Sequence, residues 1–346
     1  MTRPPLVVVL VALLVLALGE TGGAVMSRLR PQIERYAAAR VAANPRAHGL
    51  AGSAEYDDEV RDRAVYAVEA GLSFFHTHGE GMGLVLFFAA TLVASVVPGR
   101  RARGGLYALL TAGALFPLGY AVYAGAVLEL GREAGIALAE RWVLTALGSA
   151  AILGLAGRIV SRPIADRAGP TDPATTWRLP PRWVLLVAVL LIACAEVGGA
   201  SMARFKVELT RWARSVALDR PAVHGLVGVR DVDERILDEM LVKFDAGLRL
   251  FHMHAEGMGL VILATTTVAA TLVRAAGARR ALILLLTAGG AGYPLGYLVW
   301  SWLIPYHGIE RGKAIAEWLV WIPFGGAAIA ALWGLAIVVA ARVAGR

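Results

Sequence analysis

The stretch Phe75–Leu84 reads FHTHGEGMGL, and it recurs 176 positions later as FHMHAEGMGL at Phe251–Leu260. A third histidine follows the same spacing, since His48 in AHGL matches His224 in VHGL. Six of the seven histidines therefore occupy matching places in two halves of the chain. Self-similarity at a fixed spacing predicts an internal structural repeat. The retained histidines and glutamates indicate where a functional site should be sought.

The composition is typical of a membrane protein. Of 346 residues, 58% are hydrophobic and 17% are charged, and the mean hydropathy is +0.62, which is too apolar for an ordinary soluble domain. Eight apolar runs are long enough to cross a bilayer as helices, at about 6–27, 66–97, 105–125, 136–158, 183–203, 242–274, 281–303 and 314–340. They lack the strict alternation of barrel strands. We predict an all-α polytopic membrane protein with eight transmembrane helices.

Other matched motifs extend the repeat over both halves. Leu110–Gly113 pairs with Leu286–Gly289, and Pro117–Tyr120 pairs with Pro294–Tyr297 after one inserted residue. The predicted organisation is a first four-helix repeat at 1–160, a cytoplasmic linker at 161–180 and a second four-helix repeat at 181–346. Because four spans return the chain to the same side, the two repeats are expected to be parallel.

The distribution of charge predicts the orientation. The net charge is +8, and the short loops around Arg100 and Arg279 are strongly basic, whereas the longer loops 28–65 and 204–241 mix acids with arginines. By the positive-inside rule, we expect both termini and the linker on the cytoplasmic side of a cell inner membrane. The basic residues then serve topology, and no nucleic-acid partner is expected. The amphipathic stretch Arg35–Arg40 is expected to lie on the outer membrane surface.

The repeated polar residues reach the same depth. At about 1.5 Å per residue, Glu20 lies roughly 21 Å along the first run and Glu80 roughly 30 Å from Arg100, so both reach the outer third of the bundle. We predict one cluster in each half. The first comprises Glu20, His76, His78 and Glu80, with Tyr120 nearby and His48 as a lid. The second comprises Glu196, His252, His254 and Glu256, with Tyr297 nearby and His224 as a lid. Supporting residues are Glu69, Glu140, Asp245 and Glu317.

Histidine among carboxylates inside a membrane suggests a bound ligand. Ionisable groups there cost at least about 2.5–3.5 kcal/mol each and are normally functional, and imidazole suits heme iron, copper, iron and zinc. Cys194 is the only cysteine, so no cysteine cluster is available. The predicted cofactor-binding residues are His48, His76, His78, His224, His252 and His254. The predicted metal ligands are His76, His78, Glu80, His252, His254 and Glu256.

Helix geometry separates the two central histidines. Because each residue turns about 100°, His76 and His78 point about 200° apart, and one small metal ion cannot easily take both from a regular helix. Gly79, Gly81 and Gly83 leave a flat surface that a planar macrocycle or another helix could approach.

The segment His76-Thr77-His78, at the outer end of a long second span in a four-helix unit, resembles the small membrane relatives of heme–copper oxidase subunit I. It is also similar to the His-x-His segment of the nitric-oxide-response heme–copper membrane proteins. The resemblance covers about one helix in each repeat. It implies that His76 or His78, with their counterparts His252 and His254, are axial heme or copper ligands.

Three classes of function stay open. The first is a redox protein that holds heme b, copper, iron or zinc and reacts with a quinol or another membrane redox partner. The second is a proton-coupled or metal transporter with a His and Glu relay, although no span looks broken near mid-membrane, where transporters usually bind their substrates. The third is a scaffold or assembly subunit of a larger membrane complex. No catalytic residue is predicted, and whether the protein is an enzyme stays open.

Overall fold

The computed structural model describes residues 1–97, 99–160 and 175–345, and this part of the chain is helical. Its one extended pairing is a single antiparallel bridge between Thr2 and Thr176. The prediction of an all-α chain is confirmed for the described residues. Of the predicted linker 161–180, residues 161–174 lie outside them.

Contacts divide the protein into two units. Unit 1 contains Met1–Trp177 and Leu335–Arg346, and unit 2 contains Arg178–Gly334. The first part of the chain forms α1 (Leu6–Ala43), α2 (Ala54–Val96), α3 (Arg100–Ala114), α4 (Leu118–Leu130), α5 (Arg132–Ala139) and α6 (Thr145–Val160). A single helical turn, Pro45–His48, follows α1, and the π-helical segment Glu140–Leu144 joins α5 to α6.

The later part of the chain forms a similar series of helices. Its helices are α7 (Arg182–Leu218), α8 (Arg230–Leu272), α9 (Ala276–His307), α10 (Ile309–Ala316) and α11 (Gly326–Val343). The turn Pro221–His224 follows α7, and the π-helical segment Glu317–Gly325 joins α10 to α11. The backbone of α7 departs from helical geometry at Phe205, which kinks the helix.

Eight helices in the described residues are long and apolar enough to cross a membrane, which confirms the predicted number. The third span, Arg100–Leu130, combines α3 and α4, and the fourth, Arg132–Gly157, combines α5 and α6. The apolar runs therefore located every span, although the helices extend well beyond several of the runs.

The helices α1 and α2 continue past their apolar runs as a packed extension. The stretch Arg35–Arg40 continues α1 and does not turn aside, and its place at the membrane surface stays a prediction. Ala37 and Val41 of this extension are fully buried and pack with Ala64 and Val68 at the start of α2. The apolar stripe that suggested a membrane surface is covered by neighbouring helices. We call residues 28–43, 54–70 and 124–130 the head of unit 1.

The third span is interrupted in unit 1 and continuous in unit 2. The residues Leu115–Pro117 separate α3 from α4, and the Leu115 and Phe116 N–H groups donate to carbonyls three residues earlier, at 3.1 and 3.0 Å. The helix α9 has one more residue in the equivalent stretch and continues through Pro294. One residue fewer changes the helical register by about 100° next to a proline, which has no N–H to donate. The expectation of unbroken spans was therefore wrong for unit 1.

Candidate functional site

Helices α1 and α2 cross with their backbones in contact. A Cβ atom on Gly19 would lie 2.8 Å from the backbone nitrogen of Glu80, and one on Gly79 would lie 2.9 Å from the Cα atom of Gly19. A Cβ atom on Gly83 would lie 2.9 Å from the carbonyl oxygen of Ala12. Small residues permit this close approach of two membrane helices. Of the three glycines that might have received a planar cofactor, Gly79 and Gly83 are thus covered by α1, whereas Gly81 is open.

His76 forms a hydrogen bond across this crossing of α1 and α2. Its Nδ1 atom lies 2.8 Å from the carbonyl oxygen of Gly19, which can only accept, so Nδ1 carries the proton. The ring lies over Gly23, where a Cβ atom would come within 2.5 Å of it. In unit 2, the Nδ1 atom of His252 lies 2.8 Å from the carbonyl oxygen of Ala195. Each of these histidines joins the first span of its unit to the second.

Glu20 is the buried carboxyl group at the crossing. It is 8% exposed, and its Oε1 atom has no hydrogen-bond partner within the described residues. It interacts electrostatically with Glu80. The two residues come together because each follows a crossing glycine, Gly19 on α1 and Gly79 on α2. A carboxylate without a partner in an apolar layer is costly, so this pair is suited to hold a proton or a cation.

The matching pair in unit 2 has a different environment. Glu196 and Glu256 are both exposed. Alanines replace both crossing glycines there, at Ala195 and Ala255, and both are fully buried. Each alanine places a methyl group where unit 1 has a glycine without a side chain. The sequence predicted two equivalent clusters, but only the carboxyl pair of unit 1 includes a buried member.

His78 faces another part of unit 1. Its Nδ1 atom lies 2.9 Å from the carbonyl oxygen of Phe74, and its ring centroid lies 4.8 Å from that of Tyr120 and 5.7 Å from that of Phe116. His76 therefore contacts α1, whereas His78 contacts the residues around the break between α3 and α4. This arrangement matches the different helix faces expected from their spacing.

His254 repeats the contacts of His78. Its Nδ1 atom lies 2.8 Å from the carbonyl oxygen of Leu250, and its ring centroid lies 4.5 Å from that of Tyr297 and 5.7 Å from that of Tyr293. The Tyr293 and Tyr297 hydroxyl groups are hydrogen-bonded at 2.9 Å. The tyrosines predicted to lie near each cluster thus contact one of its two histidines.

His48 and His224 lie elsewhere and do not form lids. The Nε2 atom of His48 lies 3.1 Å from the carbonyl oxygen of Leu128, and that of His224 lies 3.0 Å from the carbonyl oxygen of Pro305. Both acceptors belong to the last turn of a helix, where carbonyls lack helical partners. Leu128 is eight residues beyond Tyr120, about 12 Å along α4. Each of these histidines satisfies a helix end within its own unit, and His48 is not beside His76 or His78.

Two of the four supporting acidic residues form ion pairs near the surface. Glu69 accepts from Arg30 at 2.8 Å, and the matching Asp245 lies 3.8 Å from Lys206. Glu140 is exposed at the start of the first π-helical segment, and Glu317 is half-buried at the start of the second. The ion pairs of Glu69 and Asp245 do not include Glu20 or Glu80.

Sequence reasoning missed two aspartates that hold the loops. The Ala51 and Gly52 N–H groups donate to Asp57 at 2.8 and 3.0 Å. Asp233 accepts from Val227 and Gly228 at 2.8 and 2.9 Å. The signal was present, because these aspartates follow the same 176-residue spacing as the histidines. The spacing alone could not separate loop architecture from ligand binding.

The predicted metal ligands do not converge. The described residues contain no group of three or more His, Cys, Asp or Glu side chains that could hold a metal ion. His76 contacts α1, His78 contacts Tyr120 and His48 contacts the end of α4, so the donors do not fit a heme with two of them as axial ligands. No family model, curated protein or solved structure matches this chain. The resemblance to heme–copper membrane proteins therefore rests on the His-x-His segment alone.

Proposed function

We propose that the chain crosses a cell inner membrane eight times as two parallel four-helix repeats, with both termini in the cytoplasm. The basic loops support this orientation. Matched contacts support the repeat: the Thr2 N–H donates to Ser95 Oγ at 3.0 Å, and 176 positions later the Arg178 N–H donates to Thr271 Oγ1 at 2.9 Å. The histidine bonds follow the same spacing.

The function that we propose is proton-coupled transport, with Glu20 and Glu80 as the proton-binding pair. The observation that carries it is the buried, unpartnered Oε1 atom of Glu20 beside Glu80. Two adjacent carboxylates in apolar surroundings repel each other and lack solvation, and one shared proton relieves both costs. Such intramembrane carboxyl groups are characteristic of proton relays. A carrier would load this proton when water reaches the pair from one side and release it to the other.

His76 would position the pair and extend the relay. Nδ1 donates to the carbonyl oxygen of Gly19, which fixes the orientation of the ring against α1. His76 and Glu80 are four residues apart and share one face of α2. We therefore assign His76 to the same relay as Glu80.

The interrupted third span also supports transport. Transporters commonly place binding sites at discontinuous helices, because unwound backbone offers unpaired polar groups. Here the break carries Phe116, whose ring contacts His78, two residues from Glu80. A change in the angle between α3 and α4 would therefore act on α2, the helix that carries Glu80.

The activity is tested with the full-length protein in liposomes that contain a trapped pH dye, with a potassium diffusion potential as the driving force. Wild-type protein should admit protons, and Glu20→Gln and Glu80→Gln should each slow uptake by on the order of a hundredfold, as expected for the loss of a positioned proton carrier. Glu196→Gln, at the exposed equivalent position, should keep the wild-type rate. Uptake no faster than in protein-free liposomes would contradict the proposal, as would unchanged uptake in Glu20→Gln.

A redox role is the second candidate, and one observation favours it. His76, His78, His252 and His254 all bond to carbonyl oxygens through Nδ1, which is how ligating imidazoles are commonly oriented. A single histidine per site would then bind heme b, copper, iron or zinc, with a quinol as partner. Purified protein should show a Soret band or stoichiometric metal that is lost in the double variant His76→Ala with His252→Ala. A colourless, metal-free protein would reject this candidate.

A further inference from the structure

We propose that a cavity at the base of the unit 1 head binds a phosphate ester group of net negative charge, carried either by an anionic lipid headgroup or by a soluble phosphate monoester. Its volume is about 340 Å³, within the range of small-ligand sites. It is lined by Arg63, Tyr66, Ala67, Ala70, Tyr123 and Arg132. None of these residues belongs to the proposed proton site.

The cavity lies at the level where the apolar part of the unit ends. The apolar run of α1 gives way to Arg28 and Arg30, and Arg30 pairs with Glu69 of α2 at 2.8 Å. Glu69 lies between Ala67 and Ala70, which both line the cavity. Since an exposed ion pair belongs outside the hydrocarbon core, this level is that of the polar headgroup layer. A headgroup phosphate or a small ester from solution can reach it.

The lining provides donors that suit phosphate. Arg132 opens α5, whose N-terminus has no side-chain cap, so the helix dipole and its first N–H groups add positive potential. Arg63 supplies a second guanidinium group, which also bonds to Glu59 one turn earlier. Guanidinium groups match the geometry of phosphate oxygens. Arg132, at the helix start, is therefore expected to be the stronger of the two anchors.

The remaining lining suits the organic part of an ester. Tyr66 and Tyr123 offer hydroxyl donors beside aromatic rings, and the two alanines give a small apolar floor. A fully inorganic anion would leave this apolar surface unused. The combination favours a phosphate with carbon attached.

Unit 2 does not repeat this chemistry. The residues at the matching positions are Glu239 for Arg63, Val242 for Tyr66, Trp300 for Tyr123 and Ile309 for Arg132. The Trp300 Nε1–H donates to the carbonyl oxygen of Ile309 at 3.3 Å. In unit 2, a direct hydrogen bond therefore joins the positions that match Tyr123 and Arg132. The proposed site therefore belongs to unit 1 alone.

The test uses full-length protein in detergent with two kinds of probe. Retention of phosphatidylglycerol and of phosphatidylcholine with the same acyl chains is measured by native mass spectrometry, and sn-glycerol 3-phosphate binding is measured by calorimetry. The test variants are Arg63→Gln with Arg132→Gln, which removes the charge, and Ala70→Phe, which fills the cavity. Arg46→Gln, at an exposed arginine of the same unit, is the matched control, and unchanged elution and thermal midpoint show that each variant is folded.

Wild-type protein should prefer phosphatidylglycerol, bind sn-glycerol 3-phosphate, or do both. A lipid preference without the soluble ester identifies a headgroup as the source, and the reverse identifies a solute. Binding should fall by about tenfold or more in both test variants, since charge-assisted hydrogen bonds are lost or excluded, and should persist in Arg46→Gln. Equal retention of both lipids together with no sn-glycerol 3-phosphate binding would overturn the proposal. Full binding in the double variant would also overturn it.

Discussion

At the scale of single residues, the six repeated histidines have three different local roles. His48 and His224 satisfy carbonyls at helix ends, His76 and His252 join two spans, and the remaining pair packs on tyrosines. The spacing in the sequence predicted that all six matter. The spacing could not distinguish these roles, because a residue retained for packing and a residue retained for chemistry give the same match between the two halves.

Gly23 should be required for the bond between His76 and Gly19. A methyl group at Gly23 would come within 2.5 Å of the imidazole, so Gly23→Ala should push the ring away and destabilise the unit by about 1–3 kcal/mol through overpacking. The expected result is a lower thermal unfolding midpoint in lipid nanodiscs.

Gly81→Ala is the matched control for that substitution. Nothing lies within 4 Å of a Cβ atom there, and alanine favours a helix by about 1 kcal/mol over glycine, so the midpoint should hold or rise. If the two variants unfold at the same temperature, the assigned packing of His76 is incorrect.

His48 should contribute to stability and not to proton uptake. His48→Ala removes one hydrogen bond to the carbonyl oxygen of Leu128, which typically costs about 1 kcal/mol. Limited proteolysis should cut loop 44–53 faster in this variant, while proton uptake into liposomes stays at the wild-type rate. Loss of proton uptake in a folded His48→Ala protein would show that His48 takes part in the proton site.

At the scale of helices, continuity was the property that sequence predicted least well. The apolar runs gave the number of spans, but the extension of α1 through Arg35–Arg40 depends on burial of Ala37 and Val41 against α2. That burial is a tertiary contact and has no signature in a hydropathy profile. The break at Leu115–Pro117 occurs where unit 1 has one residue fewer next to a proline. The helix α9 has that extra residue and continues through its own proline, Pro294.

The break should be visible as local opening of the backbone. Amides at 115–120 take part in short turns, whereas those at 292–297 lie inside the continuous helix α9. Hydrogen–deuterium exchange followed by mass spectrometry should therefore be faster for the first peptide than for the second, which serves as its internal reference. Equal protection of both peptides would mean that the third span of unit 1 is effectively continuous.

At the scale of the whole molecule, composition predicted an eight-span helical chain, and the described residues contain eight suitable helices. The sequence also placed Glu20 and Glu80 in one cluster with His76 and His78. It could not predict that Glu20 is buried and Glu80 half-buried while Glu196 and Glu256 are exposed. The difference accompanies the exchange of Gly19 and Gly79, which are in backbone contact, for Ala195 and Ala255, and the consequences of that exchange depend on how the helices cross.

The proposed orientation places loop 44–53 on the extracytoplasmic side of the membrane and the loop at Arg100 in the cytoplasm. In a Cys194→Ser background, a cysteine at Ser53 should react with an impermeant maleimide added to intact cells, and a cysteine at Arg101 should react only after the membrane is opened, because basic loops stay cytoplasmic. The reverse labelling pattern would invert the topology, and labelling of both positions from one side would refute the transmembrane third span.

The central claim, that Glu20 and Glu80 share a proton, is tested most directly by infrared spectroscopy of the full-length protein in lipid bilayers. The spectrum near neutral pH should contain the carbonyl stretch of a protonated carboxyl group, and the band should disappear in Glu20→Gln or in Glu80→Gln while persisting in Glu196→Gln. A spectrum without that band, or one that neither Glu20→Gln nor Glu80→Gln changes, would contradict the account.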